Sequence, residues 1–199
     1  MNSSFKLGVV SLCILFVLFL FVFGSILPVL KSQAYIDAAQ GVNNVRTIEE
    51  FKTNFDKVFG FYSPVGGEES AKYLTSNILS VVNSQQDMSE GTTRELINYI
   101  EPKIYPDTRH YIAMANLYTM TLTRFKRQGD YDAAVDYYKK AREMGPKLPP
   151  VLYGLLTLYS AVGDNENTIE VGNTILESWP QDTRVSDLLA TLQAPAKKK

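Results

Sequence analysis

From Leu7 to Leu30 the chain runs for 24 residues without a charge, and from Leu12 to Phe23 it is unbroken aliphatic and aromatic residues plus Cys13. As a helix, at about 1.5 Å per residue, such a run reaches roughly 36 Å, more than a hydrocarbon core of about 30 Å. Every backbone polar group in lipid must be paired within the segment, so a helix is the single-pass form open to it. It has no polar face, which argues against a core helix of a soluble domain. A signal peptide is the competing reading, because Ser32-Gln33-Ala34 offers small residues at a cleavage spacing. Its apolar region, however, normally ends within about 15 residues. The run is therefore predicted to be an uncleaved transmembrane helix over residues 7–30, behind a short head of residues 1–6.

Orientation rests on little. Lys6 precedes the run, and Lys31 and Arg46 follow it, so basic residues give no clear majority. A short head before an anchor usually stays inside, which predicts a single-pass membrane protein with its larger part outside the cytoplasm. Cys13 reads as a small apolar filler. The cysteine-free remainder suits an oxidising compartment.

The rest of the chain has helical periods and no alternating strand pattern. Thr47-Ile48-Glu49-Glu50 has the spacing of a capping box, in which the Thr oxygen and the Glu carboxylate each take a free N–H. Ile48, Phe51, Phe55, Val58 and Phe59 then mark one apolar face. The stretch from Gly60 to Gly67, with Pro64, breaks that helix. Ala71, Leu74, Ile78, Val81 and Val82 mark the next face. Thr92-Thr93-Arg94-Glu95 is read as a second capping box, and Pro102 and Pro106 stop the run it starts. Residues 31–106 are thus a divergent helical spacer.

From residue 107 the chain repeats with a 34-residue period. Gly129 pairs with Gly163, Asp130 with Asp164, Phe125 with Tyr159, Tyr118 with Leu152, and Pro146 with Pro180. This period with helix–turn–helix punctuation is that of a helical-hairpin solenoid. The series Gly129-x-Tyr131-x-x-Ala134, Tyr138, Ala141, Pro146 resembles the tetratricopeptide repeat (TPR) family. The second repeat keeps Leu152, Leu155, Leu156, Tyr159, Gly163 and Pro180. It departs where Thr168, Gly172 and Ile175 replace the small and aromatic residues, which predicts looser packing of its second helix. Ala134 and Ala141 would let helices approach, with Tyr118, Phe125, Tyr131 and Tyr138 filling the space between them. Gly129 is expected to form the tight turn and Asp130 to cap the next helix. A closing helix follows from Asp182, with Leu188, Leu189 and Leu192. The repeats are placed at residues 107–193, and residues 194–199 form a disordered Lys tail. The predicted fold is all-α: a transmembrane helix followed by a TPR-like solenoid.

Chemistry by this chain alone is not expected. There is no phosphate-binding glycine motif. One His and one Cys make a metal centre on those ligands implausible, and neither a metal nor a cofactor is expected. His110 is placed at a helix start, on the surface or in a groove. With 20 basic against 21 acidic residues the chain has no basic coat, so nucleic acid is not an expected partner.

Binding is the expected activity. The TPR resemblance implies a concave face lined by the first helix of each repeat. The implied partner-binding residues are Asn116, Thr119, Thr123, Lys126 and Arg127, then Tyr153, Thr157 and Ser160, and finally Arg184. They suit an extended protein or peptide partner. Thr119 and Thr123 occupy positions where some TPR domains carry a carboxylate clamp, so that clamp is not expected. The whole resembles bacterial envelope proteins with one N-terminal anchor and an external TPR domain, which implies an interaction module or scaffold. Residues 51–83 followed by TPR repeats are also similar to the tail of bacterial O-antigen ligase or polymerase-type proteins. That likeness implies a non-catalytic remnant or partner subunit of glycan assembly. The twelve tyrosines also leave room for a homo-oligomeric face.

Overall fold

The structure, a computed structural model, describes residues 3–42 and 46–194, with side chains from residue 7 onward. Residues 1–2 of the expected head and residues 195–199 of the expected Lys tail lie outside the described residues. Among the described residues the chain forms helices and no strand: α1 (Ser3–Phe21), a π turn (Val22–Ile26), α2 (Leu27–Gly41), α3 (Ile48–Gly60), α4 (Gly67–Ser84), α5 (Glu90–Ile100), a 3-10 turn (Glu101–Lys103), α6 (Thr108–Phe125), α7 (Gln128–Met144), α8 (Pro149–Val162), α9 (Asn165–Ser178) and α10 (Thr183–Gln193). They fall into two compact lobes. Residues 1–74 and 94–104 make the first, and residues 75–93 and 105–199 make the second, so α4 and α5 each divide between them.

In the first lobe the helix formed by the apolar run continues past Leu30. Leu7–Gly41 is helical over 35 residues, and its most apolar stretch has a mean hydropathy of 2.9 with none of its residues buried. It is the one described helix long and apolar enough to cross a membrane. Pro28 does not break it. A proline ring crowds the carbonyl four residues back, here Gly24, and Gly24 lies inside the π turn, where the ladder is already opened. The Leu27 N–H reaches back to the Val22 carbonyl, so the bulge absorbs the proline and the helix continues.

Thr47 starts α3 as expected. Its hydroxyl accepts from the Glu50 N–H at 3.1 Å, and the Glu50 carboxylate accepts from the Arg46 N–H at 2.8 Å. Phe55 and Val58 on the inner face of α3 are buried. Tyr35 and Phe51 sit 6.0 and 4.8 Å from the Phe55 ring, and Tyr99 closes the cluster 6.0 Å from Phe51. The Tyr99 hydroxyl donates to Asp56 at 2.8 Å. Burial first, and the Asp56 carboxylate second, hold this phenol far above its usual range. The expected cap of α5 shifts by one turn. Ser89, not Thr92, is the capping residue, its hydroxyl accepting from the Thr92 N–H at 3.1 Å. Thr92 instead spends its hydroxyl on Ser89.

The second lobe holds two antiparallel hairpins, α6–α7 and α8–α9, and then α10 packed on α9. Asp107 starts α6 by accepting from the N–H groups of Arg109 and His110. His110 is buried, not on the surface, and its Nδ1 lies 2.7 Å from the same carboxylate. Tyr138, Ala134 and Ala141 are fully buried between helices and Tyr118 is nearly so, whereas Phe125 and Tyr131 are half-exposed. At the far end of α6 the Arg124 guanidinium donates to the Val82 carbonyl at 2.6 Å and the Gln85 carbonyl at 3.2 Å. It thereby satisfies acceptors that a helix end leaves free.

The two hairpins are not turned alike. Gly163 adopts φ +75 after α8, and Asp164 caps α9 by accepting from the Asn167 N–H at 3.1 Å. In the first hairpin, Lys126 takes the left-handed conformation at φ 58. Gly129 lies inside the first turn of α7, and Asp130, expected as the cap, is buried there; the cap position is Arg127, which makes no side-chain cap bond. So α7 gains nearly a turn at its start relative to α9. The expected looseness of α9 is also absent. Thr168, Val171 and Ile175 are buried, and Gly172 is filled by Leu189 of α10, which a Cβ there would meet at 2.7 Å. The missing aromatic is replaced by an aliphatic side chain from the next helix.

These turns generate a test. A Cβ at Gly129 meets nothing within 4 Å, so Gly129→Ala raises stability by up to about 1 kcal/mol through unfolded-state entropy. Gly163→Ala costs about 1 kcal/mol or more because alanine is strained at positive φ. Thermal melts of the full chain in detergent, followed by circular dichroism, read the two opposite shifts. Equal losses would restore the symmetric turn.

Candidate functional site

Helices α6 and α8 pack side by side, and a groove of about 490 Å³ opens along them. Its walls are Asn116, Thr119, Met120 and Thr123 from α6, and Pro150, Tyr153, Gly154 and Thr157 from α8, with Leu79 of α4 and Tyr138 of α7. None of these described residues is charged. Five of the nine residues expected at a binding face are therefore together here: Asn116, Thr119, Thr123, Tyr153 and Thr157.

The other four are placed differently. Thr123, Lys126 and Arg127 line a second hollow of about 340 Å³ beside the α6–α7 turn, with Tyr131 and Val162 among its other walls. Arg127 is engaged by the Glu90 carboxylate at 2.6 Å. Ser160 lines neither hollow and is exposed. Arg184 lines neither, but its guanidinium sits 5.6 Å from the centre of the Tyr153 ring.

Tyr138 fixes the groove floor, and sequence reasoning had assigned it to the core alone. Its ring is fully buried, and its hydroxyl donates to Asn116 Oδ1 at 2.6 Å. Burial pushes its phenol up to about 12, so it stays a neutral donor. The ring fits because position 154 is glycine; a Cβ there would fall inside the Tyr138 ring. The signal was present in the sequence, since a lone Gly in an apolar helix marks a close approach.

The hydroxyls of the groove share a pattern. Thr119 donates to the Ala115 carbonyl at 2.7 Å, Thr123 to Met120 at 2.8 Å and Thr157 to Tyr153 at 2.8 Å. A hydroxyl has one donor and two acceptor positions. With the donor spent on its own helix, each threonine presents lone pairs. Asn116, its oxygen taken by Tyr138, has its amide hydrogens left to give. The groove is thus a neutral wall of hydrogen-bond acceptors with one amide donor and an aromatic edge. That suits the backbone of an extended chain, and it offers a terminal carboxylate a single neutral donor and no cation within the groove lining.

One end is held by a pair between repeats. The Tyr153 hydroxyl donates to Asp182 through a short hydrogen bond, while the other oxygen of Asp182 accepts from the Val185 N–H at 3.1 Å and caps α10. The bond from Tyr153, followed by that from Val185, holds the Asp182 carboxyl below its usual range. The same bond to Asp182 raises the Tyr153 phenol.

With this geometry in view, residues 126–192 match the family model described as Tetratricopeptide repeat. The match runs from the α6–α7 turn through α10 and supports the TPR reading of the hairpins in the second lobe. No curated protein matches the chain. TPR segments are typically non-catalytic interaction modules, which fits a groove of acceptors better than a reaction centre.

Two tests follow from the groove. Gly154→Ala overpacks Tyr138 at a cost of about 1–3 kcal/mol, outweighing the helix propensity gained. Tyr138→Phe keeps the ring and loses one hydrogen bond, about 1 kcal/mol. Denaturant melts should rank Gly154→Ala as the more damaging; the reverse order would mean that helix spacing is not set by this contact. The second concerns pH. A lowered carboxyl lends stability above its unfolded pKa and loses it as pH falls through the folded value. A raised phenol lends stability below its unfolded pKa and loses it as pH rises through the folded value. Amide exchange of α10 should therefore be slowest between about pH 4 and 10 after correction for intrinsic rates. Tyr153→Phe should remove the alkaline edge and weaken the acid edge, because Asp182 keeps its bond from the Val185 N–H.

Proposed function

We propose that this is a membrane-anchored protein-interaction module whose α6–α8 groove takes an extended, internal segment of a partner protein. The observation that carries the reading is the neutral, acceptor-rich groove between the first helices of adjacent hairpins, α6 and α8. The apolar helix over Leu7–Gly41 serves as the anchor, with the helices between it and residue 107 as spacer. The larger part is assigned to the outer side of the membrane, in a bacterial cell envelope. Binding, not turnover, is its activity.

Thr123 and Thr157 are both exposed, so lysine at either is compatible with the helix and fills the groove with an aminobutyl chain. Proximity labelling in the native host, with the full-length chain, should give a short list of envelope proteins. Thr123→Lys with Thr157→Lys should weaken partner labelling by at least about tenfold, equivalent to 1.4 kcal/mol. An unchanged list would overturn the groove. A list dominated by glycan-assembly enzymes would favour the ligase-tail reading of the same anchored fold.

A further inference from the structure

The loop joining α3 to α4 lies against the apolar helix, and it lies low on it. The Tyr62 ring meets the Phe23 ring edge-on, with centroids 6.5 Å apart. Further up, the Phe61 carbonyl accepts from Lys31 Nζ at 3.0 Å. Gly66, at φ +91, lies over the Lys31 methylenes, where a Cβ would come within 3.5 Å. The loop therefore lies along one face of the helix from Phe23 to Lys31, about 12 Å of its length, while Ile26, Val29 and Leu30 stay exposed. Lys31 is buried beneath it, at 5% exposure, and that burial holds its ammonium below the usual range. Tyr62 and Val65 nevertheless remain 68% and 58% exposed.

Hydrocarbon reaching Leu30 would immerse this loop. Irregular backbone facing lipid is not tolerated there, because its peptide groups have no partners. It would also place the Lys31 ammonium next to the acyl chains. The uncovered apolar surface below the loop, Leu7 to Phe21, has no such conflict. Tyrosine is the residue type enriched at the membrane–water boundary, where its ring meets the acyl chains and its hydroxyl meets headgroups. We infer that the loop from Phe61 to Gly66 is a collar resting on the bilayer surface, with Tyr62 and Val65 at the headgroup boundary, and that the hydrocarbon crossing is Leu7–Phe23 and not Leu7–Leu30. The occupant of this surface is the lipid interface itself. A crossing of 17 residues spans about 25 Å, at the short end for a bilayer of about 30 Å, so a thin membrane suits it best.

This inference rests on the anchor reading, and the test separates the two. The full chain is placed in phosphatidylcholine vesicles with Trp179→Phe as background. Single tryptophans are introduced by Leu15→Trp and Tyr62→Trp, and lipids carry bromine either near the headgroup or near the chain ends. The expected result is deep quenching at position 15, with blue-shifted emission at 62 quenched most by the shallow bromines. No quenching at position 15 would overturn the anchor and the collar together. Quenching at 15 with water-like emission at 62 would overturn the collar alone. Deep quenching at 62 would return the crossing to Leu30. If Trp179→Phe perturbs the fold, a nitroxide on Tyr62→Cys in a Cys13→Ala background reads the same depth from its oxygen accessibility.

Discussion

The ring of Tyr138 occupies the volume that Gly154 leaves open, and that contact sets how closely α7 approaches α8. Burying such a ring is worth about 2–3 kcal/mol, yet any side chain at position 154 would collide with it. The hydroxyl at its tip then reaches Asn116 on α6. One side chain thus ties three helices together and fixes the width of the groove between two of them. The 490 Å³ hollow is a consequence of that spacing.

What the groove can recognise follows from how its threonines satisfy themselves. Thr119, Thr123 and Thr157 each give their proton to a carbonyl of their own helix. Thr123 and Thr157, which are exposed, are acceptors whatever the pH; Thr119 lies buried at the groove floor. Of the basic residues nearby, Arg127 is engaged by Glu90 and Arg184 lies on the face of Tyr153, while Lys126 is exposed at the adjoining hollow. A partner's backbone N–H groups are what such a wall can satisfy, and directional bonds to a repeated backbone tolerate varied side chains. On the proposed reading, the groove favours an extended segment over a charged terminus.

The architecture was largely legible because it depends on period and punctuation. The 3–4 spacing of Phe55 and Val58, the capping box at Thr47 and the 34-residue repeat each act locally, and each marks a helix or a hairpin near where the structure has one. What was not legible depends on where neighbouring helices sit. Gly129 and Gly163 look equivalent in sequence, but the first chain reversal is made by Lys126 at positive φ, and Gly129 is drawn into α7. Gly172 reads as a gap until Leu189 of α10 is seen to fill it. His110 and Asp130 are polar residues that burial claims once α6 and α7 are packed. The groove residues divide in the same way. Asn116, Thr119, Thr123, Tyr153 and Thr157 converge because they share helix faces, while Ser160 and Arg184 line neither hollow, because how neighbouring helices pack is not written in spacing alone.

The most direct test of this account is amide hydrogen exchange on the full-length chain with a bound peptide. Random peptides are displayed and selected against the protein in lipid nanodiscs, and those that bind are returned to it for mapping. The account predicts added protection confined to α6 and α8, residues 114–123 and 151–160, unchanged when the peptide's C-terminus is amidated. Protection on α7 and α9 without that pair, or binding that depends on a free terminal carboxylate, would contradict it.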